Sequence, residues 1–186
     1  MTRRTMLSLF LLGLFAVPLA AGTLSGVDLA DTLDAGGQKL LLNGMALRKK
    51  VVFKVYVAGL YLPAKEKDGA KVLAADAPRC TVMHFLRSVS ANQVNEAWFE
   101  GLEANTPNHS PELKKQFDEL AALMEPLKSG DRLVFTYLPG SGTEVKVKGK
   151  VKGTLAGKEF ADALFACWIG PKPGPGEKFK AGLLGQ

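Results

Sequence analysis

The sequence has 186 residues, with 24 Lys and Arg against 18 Asp and Glu, a formal net charge of +6. This length favours one domain with its own core, and the positive charge is spread along the chain without a nucleic-acid-binding motif, which argues against a nucleic-acid partner. The chain contains two Cys and two separated His, too few for a convincing zinc site, and we expect neither a metal nor a cofactor.

The first segment has the pattern of a secretory signal. Arg3 and Arg4 precede an apolar run over 6–16, and small residues follow up to Gly22. We therefore predict a signal peptide over 1–22, a domain over 23–186, and a periplasmic or secreted protein. A permanent membrane anchor is the alternative, but the run is shorter than the ~20 residues needed to span a bilayer. After cleavage we expect no membrane span.

The first half of the mature chain is rich in strand patterns. Of these, 51–62 is the strongest because it is dense in β-branched and aromatic residues and ends at Pro63. A short helix is predicted at 68–75. Further strands are predicted at 38–43 and 79–87.

Helices and a second group of strands follow. Ser90 can cap a helix, with Gln93 at the capping-box spacing, and Ser110 precedes a first-turn proline in the next helix. The later predicted strands are 133–138, 144–148 and 150–155, and the later helices are 159–168 and 177–184. This order suits an antiparallel sheet covered by helices, the α+β class, rather than alternating βαβ units.

The strand at 51–62 suggests a binding site. Strict alternation would place Lys54 and Tyr56 together on one face and Val51, Phe53, Val55, Val57 and Tyr61 on the other, core face. Arg48 precedes this strand, at a predicted hairpin or bend after Asn43-Gly44. An Arg and a phenol beside apolar walls suit a carboxylate or enolate ligand. Alternatively, Tyr56 simply packs and Arg48 lies in a solvated turn.

The run over 43–62 (NGMALRKKVVFKVYVAGLYL) resembles the signature of the chalcone-isomerase-like superfamily, specifically its bacterial exported branch. The resemblance continues through 83–87, 128–131, 137–140 and 168–170. It implies a large antiparallel sheet, a layer of helices, and a ligand cleft between them. The superfamily includes enzymes that cyclise chalcones, plastid fatty-acid-binding proteins, and members without known catalysis.

The resemblance also assigns roles to individual positions. Arg48 matches the arginine that holds the anionic end of the ligand, and Tyr56 falls where the fatty-acid binders carry a tyrosine and the isomerases a threonine. The enzymes draw a Tyr and an Asn from the helix corresponding to 91–104, where this chain has Gln93 and Glu100 near those places. We therefore expect a non-catalytic exported binder of a small amphipathic or anionic ligand, such as a fatty acid. The alternative is an intramolecular lyase or isomerase acting on a chalcone-like unsaturated ketone.

Several other residues have two readings each. Lys54 can neutralise a ligand carboxylate or extend past apolar surface, and Arg87 can be a second anion contact or a cap at the sheet edge. His84 is expected to pack on its strand, with lining the cleft as the alternative. Cys80 and Cys167 can form a disulfide in an oxidising compartment or remain free inside the apolar core.

Overall fold

The computed structural model describes residues 20–186, with side chains from residue 22 onward. Almost all of the predicted signal peptide therefore lies outside the described residues. The described elements are β1 (Ala20–Leu24), β2 (Val27–Ala30), β3 (Thr32–Ala35), β4 (Gln38–Lys50), β5 (Phe53–Leu62), α1 (Gly69–Ala74), β6 (Arg79–Phe85), α2 (Ala91–Asn105), α3 (Pro111–Ala122), β7 (Arg132–Leu138), β8 (Gly142–Val147), β9 (Lys150–Leu155), α4 (Lys158–Ile169) and α5 (Glu177–Leu183). None of the described helices is long and apolar enough to cross a membrane.

The predicted α+β class is confirmed. Strands β3 to β9 form a seven-stranded antiparallel sheet in which each strand pairs with its neighbour in the chain, while β1 and β2 form a separate hairpin. Such pairing needs only short connections between strands, and the helices are inserted between β5 and β6, between β6 and β7, and after β9. Sequence patterns missed β1 to β3, which are only four or five residues long.

The sheet has an apolar core on each face. The larger core lies between the sheet and the helices and centres on α4, which buries nine of its twelve residues. The smaller core lies on the opposite face and includes residues of the β1–β2 hairpin. Cys167 belongs to the first core and Cys80 to the second, so the sheet separates the two thiols, and both are free.

Strand β4 is longer than predicted because a bulge replaces the expected bend. The β4–β5 register shifts between Leu42 and Gly44, and the strand then continues to Lys50. The predicted hairpin or bend before Arg48 is therefore wrong, and Arg48 lies inside the strand. The loop between β4 and β5 consists instead of Val51 and Val52, which the sequence pattern placed in the predicted strand 51–62.

The bulge anchors the C-terminal helix. The Asn43 side chain is buried, and its Nδ2 donates to the carbonyls of Glu66 and Leu183, both at 2.9 Å. Gly44 lies so close to α5 that a Cβ there would stand 2.2 Å from the Gly182 carbonyl oxygen. The Asn-Gly pair therefore marks a bulge and a helix contact rather than a turn.

A buried arginine connects β6 to the helices. Arg79 is 1% exposed, and its guanidinium pairs with Asp162 of α4 and donates to the Val72 carbonyl of α1 at 3.0 Å. Its carbon centre lies 4.9 Å from the Tyr137 ring centroid and 5.0 Å from that of Phe165. This single side chain therefore holds α1 and α4 against the sheet.

Candidate functional site

A cavity of about 470 Å³ lies between the sheet and α2. It is bounded by the hairpin end of β4 and β5, the end of β6, the first turns of α2, and Gly174 and Pro175 before α5. This volume falls within the range of small-molecule pockets in proteins. The cavity lies where the family resemblance predicted a cleft.

A second bulge decides which side chains of β5 reach the cavity. Arg48 pairs with Tyr56, but the next β4 residue, Lys49, pairs with Lys54, which leaves Val55 as an extra residue in β5. A bulge shifts the alternation of side chains by one position. Phe53, Val55 and Tyr56 consequently all line the cavity.

The bulge overturns the predicted pairing of Lys54 with Tyr56 on one face. Lys54 is exposed and is not among the residues that line the cavity. Phe53 and Val55, which were assigned to the same face as Val57 and Tyr61, instead share the cavity wall with Tyr56. Strict period-two alternation was the faulty assumption.

Arg48 and Tyr56 come together at the cavity as predicted. They are direct partners across the β4–β5 ladder, so their side chains start on the same face and within a few ångströms of each other. Arg48 is half-buried, and its Nη1 donates to the Pro175 carbonyl at 3.1 Å. Among the described residues no carboxylate forms an ion pair with Arg48, so its other N–H groups can receive an anion.

Tyr56 is a buried phenol held in one orientation. It is 9% exposed, and its hydroxyl accepts a hydrogen bond from Trp168 Nε1 at 3.3 Å. Burial raises the pKa of Tyr56 to about 12, although the Trp168 hydrogen bond and the Arg48 charge act to lower it. The phenol therefore keeps its proton at neutral pH and can donate it in a hydrogen bond to a ligand oxygen.

Arg87 lies at the rim of the cavity. It follows the end of β6, it is exposed, and its guanidinium carbon is 4.5 Å from the centroid of the Phe53 ring. Stacking on an aromatic face fixes the plane of the guanidinium and leaves its N–H edge available. Of the two roles considered for Arg87, a second anion contact fits this position better than a cap at the sheet edge. That role stays a prediction.

Helix α2 forms the wall opposite the sheet. Gln93 and Glu100, the residues near the enzymes' Tyr and Asn, both line the cavity. Gln93 is already engaged, because its side chain accepts a hydrogen bond from the Ser90 backbone at 3.0 Å in a capping box. The α2 residues that line the cavity include no hydroxyl group that could serve as a proton donor there.

His84 lies away from the cavity. It is half-buried, and its Nδ1 accepts from Arg132 Nε at 3.3 Å. Desolvation and the positive charge of Arg132 lower the pKa of His84, which favours the neutral ring. Packing on the strand is therefore the reading that fits. Within residues 20–186 no group of His, Cys, Asp and Glu is placed to hold a metal ion.

Sequence reasoning missed two polar partners of the site. Trp168 belongs to the larger core, and it also orients the Tyr56 hydroxyl. The Pro175 carbonyl orients Arg48 from a segment 127 residues away in the chain. Neither partner has a sequence signal of its own, because both contacts depend on how α4 and the segment after it pack against the sheet.

Comparison with known proteins gives a family and a fold. The sequence matches the family model described as chalcone isomerase-like over residues 21–185. The chain is similar to the crystal structure of a fatty-acid binding protein from Arabidopsis thaliana, with a TM-score of 0.67 and 14% sequence identity, covering 86% of this chain and 92% of that one. No curated protein sequence matches. At this identity the structural likeness establishes the fold.

Proposed function

The chain belongs to the chalcone isomerase-like family, and from this premise we propose that it is a non-catalytic binder of a small amphipathic or anionic ligand, such as a fatty acid. The observation that carries the proposal is the pairing of Arg48 with Tyr56 at a cavity whose lining combines apolar side chains with charged and polar ones, the latter at its rim and on the α2 wall. A guanidinium and a neutral phenol can both donate to one carboxylate, while Phe53, Phe85 and Val55 contact an acyl chain. The similar plant structure is named a fatty-acid binding protein, which agrees with this assignment.

An enzymatic role is less favoured by the residues present. Arg48 could polarise a ketone, since stabilisation of a developing oxyanion is often a large catalytic contribution. However, the positions near the enzymes' Tyr and Asn carry Gln93, which caps α2, and Glu100, a carboxylate. Neither residue supplies the hydroxyl that the resemblance implies for cyclisation, and the one amide, that of Gln93, has its oxygen engaged in the helix cap.

Thermal unfolding with and without a fatty acid tests the proposal. Ligand at about 100 times its Kd stabilises the folded state by about 2.7 kcal/mol, which corresponds to a rise in melting temperature of about 5–10 °C for a domain of this size. We expect that rise with a long-chain fatty acid, a bound lipid in native mass spectra of fresh protein, and no change in absorbance when concentrated protein is mixed with a chalcone. Protein that carries no lipid and melts at an unchanged temperature would refute the binder, and steady loss of chalcone absorbance would favour the isomerase.

We further propose that the protein belongs to the exported bacterial branch of the family and acts in the periplasm or outside the cell. The support is the charged and apolar pattern over 1–22. Strand β1 begins at Ala20, so cleavage after Ala21 or Gly22 would shorten it, but the pairs Thr23–Asp28 and Leu24–Val27 would remain. The intact mass of protein recovered from a bacterial periplasm should correspond to a chain that starts at about residue 22 or 23. A mass that includes residues 1–20 would contradict export with cleavage.

A further inference from the structure

The loop between β4 and β5 presents an apolar tip to solvent. Val51 is 89% exposed, Val52 77% and Phe53 57%, and Val151 is the one other large hydrophobic residue of residues 20–186 that is exposed to this degree. Isolated exposed apolar residues are common on soluble proteins. Three consecutive ones at the end of a hairpin form a small apolar wedge, which we call the hairpin tip, residues 51–53.

The backbone conformation of the hairpin tip is also energetically unfavourable. Val51 has a φ of 56°, an outlier for a β-branched residue. In a two-residue hairpin loop a positive φ at the first position but not at the second, here Val52, is the type II′ pattern, where Gly is strongly preferred at the first position. A valine at this position weakens the turn and is exposed to water, so folding stability does not explain it.

The residues around the hairpin tip are cationic. Lys49, Lys50 and Lys54 flank it directly, Arg87 stacks on Phe53, and the sequence has no Asp or Glu from residue 35 to residue 65. Among the ion pairs of the described residues none involves these four cations. An apolar wedge surrounded by unpaired Lys and Arg complements an anionic lipid bilayer, whose headgroups attract the cations and whose acyl region accepts the wedge.

The hairpin tip meets the mouth of the cavity. Lys50, Val51 and Phe53 belong both to the tip region and to the lining of the cavity. A bilayer in contact with the tip would therefore lie beside the cavity opening, next to Arg87. The same hairpin that carries Arg48 and Tyr56 inside the protein ends outside it in the wedge.

We propose that the hairpin tip docks the protein on an anionic lipid bilayer, with Val51, Val52 and Phe53 entering the acyl boundary and the flanking lysines contacting headgroups. This goes beyond the proposed function, because docking requires no ligand in the cavity. The docking proposal can also be refuted without refuting the proposed function, because a protein that binds fatty acids in solution need not touch a membrane.

Co-sedimentation with vesicles tests the docking. The full chain is mixed with vesicles of phosphatidylcholine alone or with about one-third phosphatidylglycerol, and we expect binding to the anionic vesicles to exceed clearly any binding to the neutral ones. The variant Lys49→Gln/Lys50→Gln should lose about 25-fold in partitioning, about fivefold for each cation. The variant Val51→Gly/Val52→Ser should lose about tenfold while its turn becomes more favourable, so that misfolding cannot explain the loss.

Two controls isolate the hairpin tip. Lys114→Gln/Lys115→Gln changes the net charge equally on α3, and Val151→Ser removes an exposed valine on β9; both should bind as the wild type does. Because every variant carries the same N-terminus, residues 1–22 contribute equally to all. The proposal is overturned if the wild type ignores anionic vesicles, if the tip variants bind as well as the controls, or if size-exclusion shows a dimer that only the tip variants lose, which would make the tip a contact between copies.

Discussion

Replacing Asp162 with asparagine should lower the free energy of unfolding by about 3 kcal/mol, a fall in melting temperature of about 6–12 °C. The reason is that Arg79 is 1% exposed and would keep its charge inside the protein after losing its carboxylate partner. The expected loss is at the lower end for broken buried pairs, because the carbonyls of Val72 and Ala75 still accept from the guanidinium. Urea denaturation followed by circular dichroism measures it.

Asp118→Asn is the matched control for this prediction. Asp118 also pairs with a cation, Lys114, but both side chains are more than half exposed, so the same chemical change should cost less than about 0.5 kcal/mol. If the Asp162 variant unfolds within about 1 kcal/mol of the wild type, Arg79 is solvated by other means and the interpretation of this pair is wrong.

Arg48→Ala should weaken the binding of a fatty acid by about ten- to a hundredfold, because a charge-assisted hydrogen bond contributes ~1.5–3 kcal/mol. Arg48 forms no ion pair among the described residues, so its removal leaves no protein carboxylate without a partner. Tyr56→Phe should have a smaller effect, about two- to tenfold, since it removes one neutral hydrogen bond. Titration calorimetry in the absence of vesicles measures both.

Lys54→Ala provides the control on the same strand. It removes one positive charge two residues from Tyr56, but Lys54 is exposed and does not line the cavity, so the affinity should stay within about twofold of the wild type. Equal losses for Arg48→Ala and Lys54→Ala would mean that general electrostatic attraction, and not the cavity, explains binding.

The sequence was sufficient for the fold class and for most helices, and the reasons are local. Ser90 and Ser110 cap α2 and α3 as their spacing predicted, and Asp68 caps α1 in the same way. Strands β1 to β3 were missed because each is too short to develop a hydrophobic period. What defines them is backbone pairing across two-residue turns, β1 with β2 and β3 with β4, which the side-chain pattern of so short a segment does not reveal.

The candidate site was only partly predictable, and the two bulges explain why. Both the strand pattern and the resemblance set Arg48 and Tyr56 at one site, and the β4–β5 ladder places them side by side, but strict alternation also put Lys54 on the face of Tyr56, where it does not lie. Because Val55 is an extra residue in β5, the residues before it, Phe53 and Lys54, lie on the faces opposite to those that strict alternation assigns. No propensity marks a valine as a bulge residue, so the error could not have been avoided from the strand pattern alone.

Because the sheet separates the two cysteines, the reactivity of each thiol reports on the opening of one face of the sheet. Burial raises the pKa of Cys80 to about 11 and that of Cys167 to about 12, so both thiols are unreactive while they remain covered. A thiol reagent can therefore modify Cys80 only when the sheet face covered by the β1–β2 hairpin opens. It can modify Cys167 only when the helices move away from the other face. Alkylation rates at the two positions would show whether lipid access loosens the helices while the opposite layer stays closed.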